Sequence, residues 1–224
     1  AGSDDDKVYL FDKDSSTPLW SYTGGSPVRA VAISSNGTYI TAGSGNSIYF
    51  FDRDSSPPLW SYNSNLNSMG PVAISADGEY IVAGSKSSCT SNCKVYLFAK
   101  GSSTPLWSYT TGDDVIYSVD ISADGEYIVV GGKDDEVSLF DKDSSTPLWS
   151  YYAGNWVWSV SISADGEYLA AGSHRDVYLF NKDSSTPIWS YNTGSEVNSI
   201  AISADSEYIV AGSADDKVHL FARN

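Results

Sequence analysis

ISADGEYIVVGGKDDEVSLFDKDSSTPLWSY, residues 121–151, decides the fold, because the chain repeats it from end to end. ISADGEY or a close variant begins at Ile33, Ile74, Ile121, Ile162 and Ile202, and LWSY or IWSY carries Trp20, Trp60, Trp107, Trp149 and Trp189. Those tryptophans are spaced by 40, 47, 42 and 40 residues. A period near 40 that holds four short strands is the pattern of a β-propeller blade.

The strands follow from composition. VYLF at 8–11 and LWSY at 19–22 have the β-branched and aromatic content of strands, and residues 12–18 between them (DKDSSTP) form a turn. VRAVAIS at 28–34 and YITAGS at 39–44 complete the unit around Asn36-Gly37, a tight turn that favours positive φ. In propeller order these are strands c, d, a and b, with a innermost. The later a–b turns use Asp-Gly, except the fifth, where Asp205-Ser206 predicts a strained or different turn. No segment keeps a helical period. The fold expected is all-β: a five-bladed β-propeller with four-stranded antiparallel blades, forming a single domain over residues 7–222. Residues 1–6 read as a tag remnant or disordered tail. The chain holds six c strands but five d strands, so LWSY at 19–22 is expected to close the ring as the fifth blade's d strand.

Charge excludes some partners. The chain carries 28 acidic and 13 basic side chains, a formal net charge of −15. Such a field repels nucleic acid and anionic lipid. No run of 18 apolar residues exists, so no membrane insertion is expected.

SADSEYIVAGSADDKVHLF, residues 203–221, with SADGEYIV at 75–82 and 122–129, resembles strands b and c of WD40-type repeats. LFDKDSSTPLWSY is similar to quinoprotein-type repeats, which end a blade on a docking Trp. The resemblance spans residues 7–222 and is strongest to WD-like repeats of archaeal, often secreted, proteins. It implies a binding propeller. The Gly-His dipeptide of WD repeats is absent and Leu-Phe replaces Trp-Asp, so that family's His–Asp–Trp network does not transfer. No quinone-binding residue is recognisable, and no cofactor is expected.

The chemistry-bearing residues mostly read as scaffold. His219 stands where Tyr49, Tyr96 and Tyr178 stand in sister repeats, and His174 lies on a b–c turn. No Ser-His-Asp constellation is visible, so no enzyme is expected. The Asp-x-Glu pairs of the a–b turns recur blade after blade and read as turn chemistry. The DKDS turns lack the ligand ladder of a dedicated Ca²⁺ loop. Cys89 and Cys93, in the one long b–c insert, are expected to form a local disulfide, which implies an extracellular or cell-surface setting.

The drifting positions lie at the entry of strand a. When the units are aligned on AVAIS, PVAIS, SVDIS, SVSIS and SIAIS, one position reads Arg29, Gly70, Tyr117, Trp158 and Asn198. Two residues earlier stand Pro27, Ser68, Val115, Trp156 and Glu196. In a propeller these ring one mouth of the central channel. Arg29, Tyr117, Trp156, Trp158 and Asn198 are the expected ligand-binding residues, several of them hot-spot types. The expected function is non-catalytic binding of a protein or cell-surface ligand. A carbohydrate-binding propeller is the alternative, with aromatic rings stacking on sugars. An engineered or fragmentary repeat protein without its own function is another. The expected state is a monomer or a weak dimer through the closing blade.

Overall fold

The computed structural model describes all residues except 66–67, 87–92, 113 and 224. It divides into two compact units, Ala1–Asp113 and Asp114–Asn224. Every described element is a β-strand, and no helix is long and apolar enough to cross a membrane.

The first unit contains β1 (Lys7–Phe11), β2 (Pro18–Thr23), β3 (Val28–Ile33), β4 (Tyr39–Ser44), β5 (Ser47–Asp52), β6 (Trp60–Asn63), β7 (Met69–Ile74), β8 (Tyr80–Ser85), β9 (Cys93–Ala99) and β10 (Trp107–Gly112). They form a two-stranded sheet β1-β2 and two antiparallel meanders, β3-β4-β5-β6 and β7-β8-β9-β10. The second unit contains β11 (Ile116–Ile121), β12 (Tyr127–Gly132), β13 (Glu136–Asp141), β14 (Trp149–Tyr152), β15 (Val157–Ile162), β16 (Tyr168–Ser173), β17 (Asp176–Asn181), β18 (Trp189–Asn192), β19 (Val197–Ile202), β20 (Tyr208–Ser213) and β21 (Lys217–Ala222). Its meanders are β11-β12-β13-β14, β15-β16-β17-β18 and the three-stranded β19-β20-β21. The four-stranded antiparallel blade read from the sequence is therefore the repeating unit.

Both faces of β4, β8, β12 and β16 are buried, as stacked blades require. In the first unit, Ile48 and Phe50 of β5 meet Met69, Ile81 and Phe98 of the next sheet. In the second, Val137 and Leu139 of β13 meet Val157, Leu169 and Phe180, and Val177 and Leu179 of β17 meet Val197 and Ile209. Each such aliphatic side chain, once buried, contributes ~1.5–3 kcal/mol.

The recurring Trp is a half-buried link between sheets. The indole Nε1 of Trp20, Trp60 and Trp149 donates to the carbonyls of Arg53, Lys100 and Lys182, each at 2.7 Å. Each acceptor follows the next sheet's c strand, so the d-strand Trp docks one blade on its neighbour. The following Tyr stacks beside it: Tyr151 meets the edge of Phe180, and Tyr191 packs on His219 and Phe221. His219 thus fills the place of a scaffold Tyr, with its Nε2 3.0 Å from Asp215.

The a–b turns are built by their Asp and Ser. The Asp124 carboxylate accepts the Ser122 hydroxyl at 2.6 Å and the Glu126 amide at 3.0 Å, while the Ser122 oxygen accepts the Tyr127 amide. The pattern recurs at Asp77, Asp165 and Asp205. These carboxylates are committed to turns. Gly78, Gly125 and Gly166 take positive φ there, and Ser206 is held at φ 62° in the fifth, the strain expected of Asp205-Ser206.

At the two ends, β2, expected as the fifth blade's d strand, forms a hairpin with β1, and the sheet β19-β20-β21 has three strands. Residues 1–6 fold back on the first unit: Gly2 bridges Val8, the Tyr9 amide donates to the Ala1 carbonyl at 2.8 Å, and the Val28 amide donates to Ser3 at 3.0 Å. Cys93 is buried at the start of β9, whereas Cys89 lies outside the described residues, and with it the expected Cys89–Cys93 pairing.

Candidate ligand-binding face

The drifting positions share one backbone feature. Register shifts fall in every innermost strand, between Val28 and Ala30, Met69 and Val72, Ile116 and Ser118, Val157 and Ser159, and Val197 and Ser199. The residues skipped include Arg29, Gly70, Tyr117, Trp158 and Asn198. A bulge residue leaves the ladder and its side chain is re-aimed. The scaffold fixes the bulge and leaves its side chain free to vary, which explains the drift.

Three of the expected residues come together in the second unit. Tyr117, from the β11 bulge, stacks on Trp158, from the β15 bulge, with centroids 4.4 Å apart and planes at 25°. Trp156 meets Trp158 edge-on at 5.4 Å and lies 6.1 Å from Tyr117. Trp156 is the exposed member at 38 %, while the other two are half-buried. The Trp158 Nε1 is buried without a hydrogen-bond partner.

Two neighbours on the b–c turn went unremarked as site residues. The Lys133 ammonium lies 5.7 Å from the Trp156 ring centroid, a cation–π arrangement. Asp134 is pushed up to about 6, chiefly by burial, with the charges of Glu136 and Asp114 adding to it against a hydrogen bond from the Glu136 amide. Burial and the nearby Asp114 also raise the Tyr117 hydroxyl. The signal available in the sequence was variation of the b–c turn itself.

The other expected residues lie apart from this cluster. Asn198 is exposed at the β19 bulge, where no ring joins it. Arg29, in the first unit, has its Nη2 3.5 Å from Asp4 Oδ1, both side chains well exposed. Beside Trp156 a cleft of about 290 Å³ is lined by Gly154, Asn155, Ser173, His174, Arg175 and Asp176. His174 Nδ1 lies 3.3 Å from Glu196 Oε1. The aromatic group offers apolar stacking area with the Lys133 ammonium at its rim, which is equipment for binding. Among the described residues, no group of three or more His, Cys, Asp or Glu side chains is arranged to hold a metal.

A family model described as outer membrane protein assembly factor BamB matches residues 1–114 and again 91–223. No curated protein matches the chain. Among solved structures, the chain is similar to one in the crystal structure of the mitotic checkpoint complex, with a TM-score of 0.79 and 16 % identity. The match covers 96 % of this chain and 70 % of that one. At that identity the likeness shows the fold, a β-propeller.

Proposed function

We propose, from the premise that the chain belongs to the family of outer membrane protein assembly factor BamB, that it is a non-catalytic propeller that binds another protein through the face carrying Tyr117, Trp156 and Trp158. One observation carries this reading: two innermost-strand bulges and the adjoining loop converge on one partly exposed aromatic group. Rigid aromatic side chains on a fixed sheet are efficient binding anchors. The family's name speaks of an assembly factor, which agrees with a role in holding other proteins. The net charge of −15 favours a basic partner.

The reading takes β2, like β6, β10, β14 and β18, as a d strand of a five-bladed repeat. Arg29 and Asn198 extend the face at the remaining bulges. On this reading the protein works outside the cell or at its surface, a setting that the sequence's resemblance to secreted WD-like repeats supports.

The test is capture of partners from a cell-surface fraction of the source organism by the immobilised chain. A protein retained by the wild type and lost with Trp156→Ala supports the reading, since Trp156 is the exposed ring. Retention unchanged in Trp156→Ala and Tyr117→Ala overturns it. Binding on a glycan array that Trp156→Ala abolishes, without a protein partner, favours the carbohydrate alternative.

A further inference from the structure

The first and last sheets each leave an apolar face exposed. Each sheet presents an outgoing face to the next sheet's incoming face. The outgoing side chains are Tyr127, Val129, Val137 and Leu139 in one sheet and Tyr168, Ala170, Val177 and Leu179 in the next, and the aliphatic ones among them are fully buried by the following sheet. In the last sheet the same positions are Tyr208, Val210, Val218 and Leu220, and they stand 53, 38, 75 and 69 % exposed. The incoming face shows the complementary gap. Val160 and Ile162 of β15 are buried, but their equivalents Val31 and Ile33 of β3 are 40 and 54 % exposed.

The hairpin β1-β2 covers only part of β3's sheet. It supplies the c and d positions: Val8, Leu10, Trp20 and Tyr22 pack on Val28, Ile40, Ala42 and Phe51. Of the a and b positions, residues 1–3 take up only a part, with Gly2 bridging Val8 and Ser3 accepting the Val28 amide, and the rest is open. What remains is an apolar cavity of about 140 Å³ whose lining includes Tyr9, Leu10, Trp20, Val31, Ile33 and Ile40. In the complete junctions that space is filled by the b strand, through Tyr127 and Val129 or Tyr168 and Ala170.

Strand β1 is also a near copy of β21. Lys7-Val8-Tyr9-Leu10-Phe11 differs from Lys217-Val218-His219-Leu220-Phe221 at one residue. On β2, Val8 stands opposite Tyr22 and Leu10 opposite Trp20. In a complete blade, Val177 stands opposite Tyr191 and Leu179 opposite Trp189. Strand β21 therefore fits β2 in the register that β1 now holds, with Val218 opposite Tyr22 and Leu220 opposite Trp20.

We propose that β1 is a placeholder, and that the sheet β19-β20-β21 of a second copy docks on β3 by displacing β1 from β2, joining copies head to tail. The exchange keeps the number of strand ladders on β2 at one. Val218 and Leu220 take the places of Val8 and Leu10, and the net gain is burial of Tyr208 and Val210 on one copy and of Val31 and Ile33 on the other. The exchange reproduces the junction already present between sheets within each unit, so no new packing geometry is needed. The two surfaces differ from one another, which makes the contact heterologous. The inference rests on the reading of β2 as the fifth blade's d strand.

Disulfide trapping tests it. Lys7 stands opposite Thr23, so after exchange Lys217 stands there. Both Thr23 and Lys217 are exposed, so cysteines at these positions leave the core intact. Thr23→Cys and Lys217→Cys chains, purified separately and mixed under mild oxidation, should give a cross-linked heterodimer. The double variant should give a ladder of linked chains. Wild-type mass by light scattering should rise with concentration above 24.1 kDa, and Leu220→Asp, which alters an exposed side chain, should hold it at the monomer. If the double variant gives only internally linked monomer, the second-copy proposal is overturned while the fifth-blade reading survives. If neither preparation links, both fail.

Discussion

Trp149→Phe isolates the bond that joins one blade to the next. In the wild type the indole Nε1 donates to the Lys182 carbonyl at 2.7 Å, and the ring lies 5.4 Å from Phe180. Phe keeps most of the ring contact and removes the donor. A partly buried carbonyl that loses its donor costs about 1–2 kcal/mol. Trp149→Ala removes the ring as well. Full truncation of a buried aromatic costs ~3–5 kcal/mol, and Trp149 is half-buried, so about 3 kcal/mol is expected. Guanidinium unfolding at constant slope reads both values from the midpoints. Trp20→Phe and Trp60→Phe make the same change at equivalent junctions and should cost the same within about 0.5 kcal/mol. A Trp149→Phe midpoint indistinguishable from wild type, with Trp149→Ala still costly, would refute the docking bond and leave only ring burial.

Three further outcomes are expected. Ser206→Gly relieves an L-residue held at φ 62° and should stabilise by about 0.5 kcal/mol once the extra entropy of Gly is counted, read as a raised unfolding midpoint. Trp156→Ala should change stability by under about 1 kcal/mol, whereas Trp158→Ala, which loses the stack on Tyr117, should cost about 2 kcal/mol; equal small losses would place both rings on the surface. Asp134 has a folded pKa raised to about 6, above its unfolded value near 3.8. The folded state therefore binds more protons between those values, so stability should fall as pH rises from about 4 to 6. Asp134→Asn should flatten that slope in urea midpoints taken across the range, and an unchanged slope would place the titration elsewhere.

The repeat was legible because each blade must solve the same packing problem with the same side chains. The Asp-Ser chemistry of the a–b turns, the strained Ser206 and the scaffold role of His219 could all be read for that reason. The aromatic cluster was legible too, since Tyr117, Trp156 and Trp158 break a pattern that is otherwise kept. The bulges were not. A bulge is a property of register between two strands, and VWSVSI reads like any alternating strand until its partner is known. Lys133 and Asp134 escaped because turn residues vary for many reasons, and their meaning here depends on which ring lies beneath. The bonding of residues 1–6 escaped for a similar reason: polar residues at a terminus carry no signal that backbone groups of β1 and β3 await partners.

The inner strands carry one more device, and it yields a sharp substitution. In the second unit the edge amides of β15 and β19 are caught by side chains of the preceding sheet. Ser118 Oγ accepts the Val160 amide at 3.1 Å, and Asp120 Oδ2 accepts the Ile162 amide at 3.0 Å. One blade further, Ser159 accepts the Ile200 amide at 3.0 Å and Ser161 the Ile202 amide at 3.3 Å. Asp120 and Ser161 thus hold equivalent positions and do equivalent work. The carboxylate at Asp120 does it at a cost, since burial raises its pKa despite the two amides it accepts and the Ser161 hydroxyl. Asp120→Ala should leave the Ile162 amide unpaired and destabilise by about 1–3 kcal/mol. Asp120→Ser should keep the acceptor, as Ser161 does, and remove the buried charge, so at pH 7 it should equal or exceed wild type. The sign against pH separates the two effects. A raised folded pKa makes the wild type lose stability as pH rises through that value, whereas Asp120→Ser lacks the term and should gain relative to wild type as pH rises. Parallel unfolding midpoints for wild type and Asp120→Ser from pH 4 to 8 would mean that Asp120 is not desolvated as its burial between β11 and β15 implies.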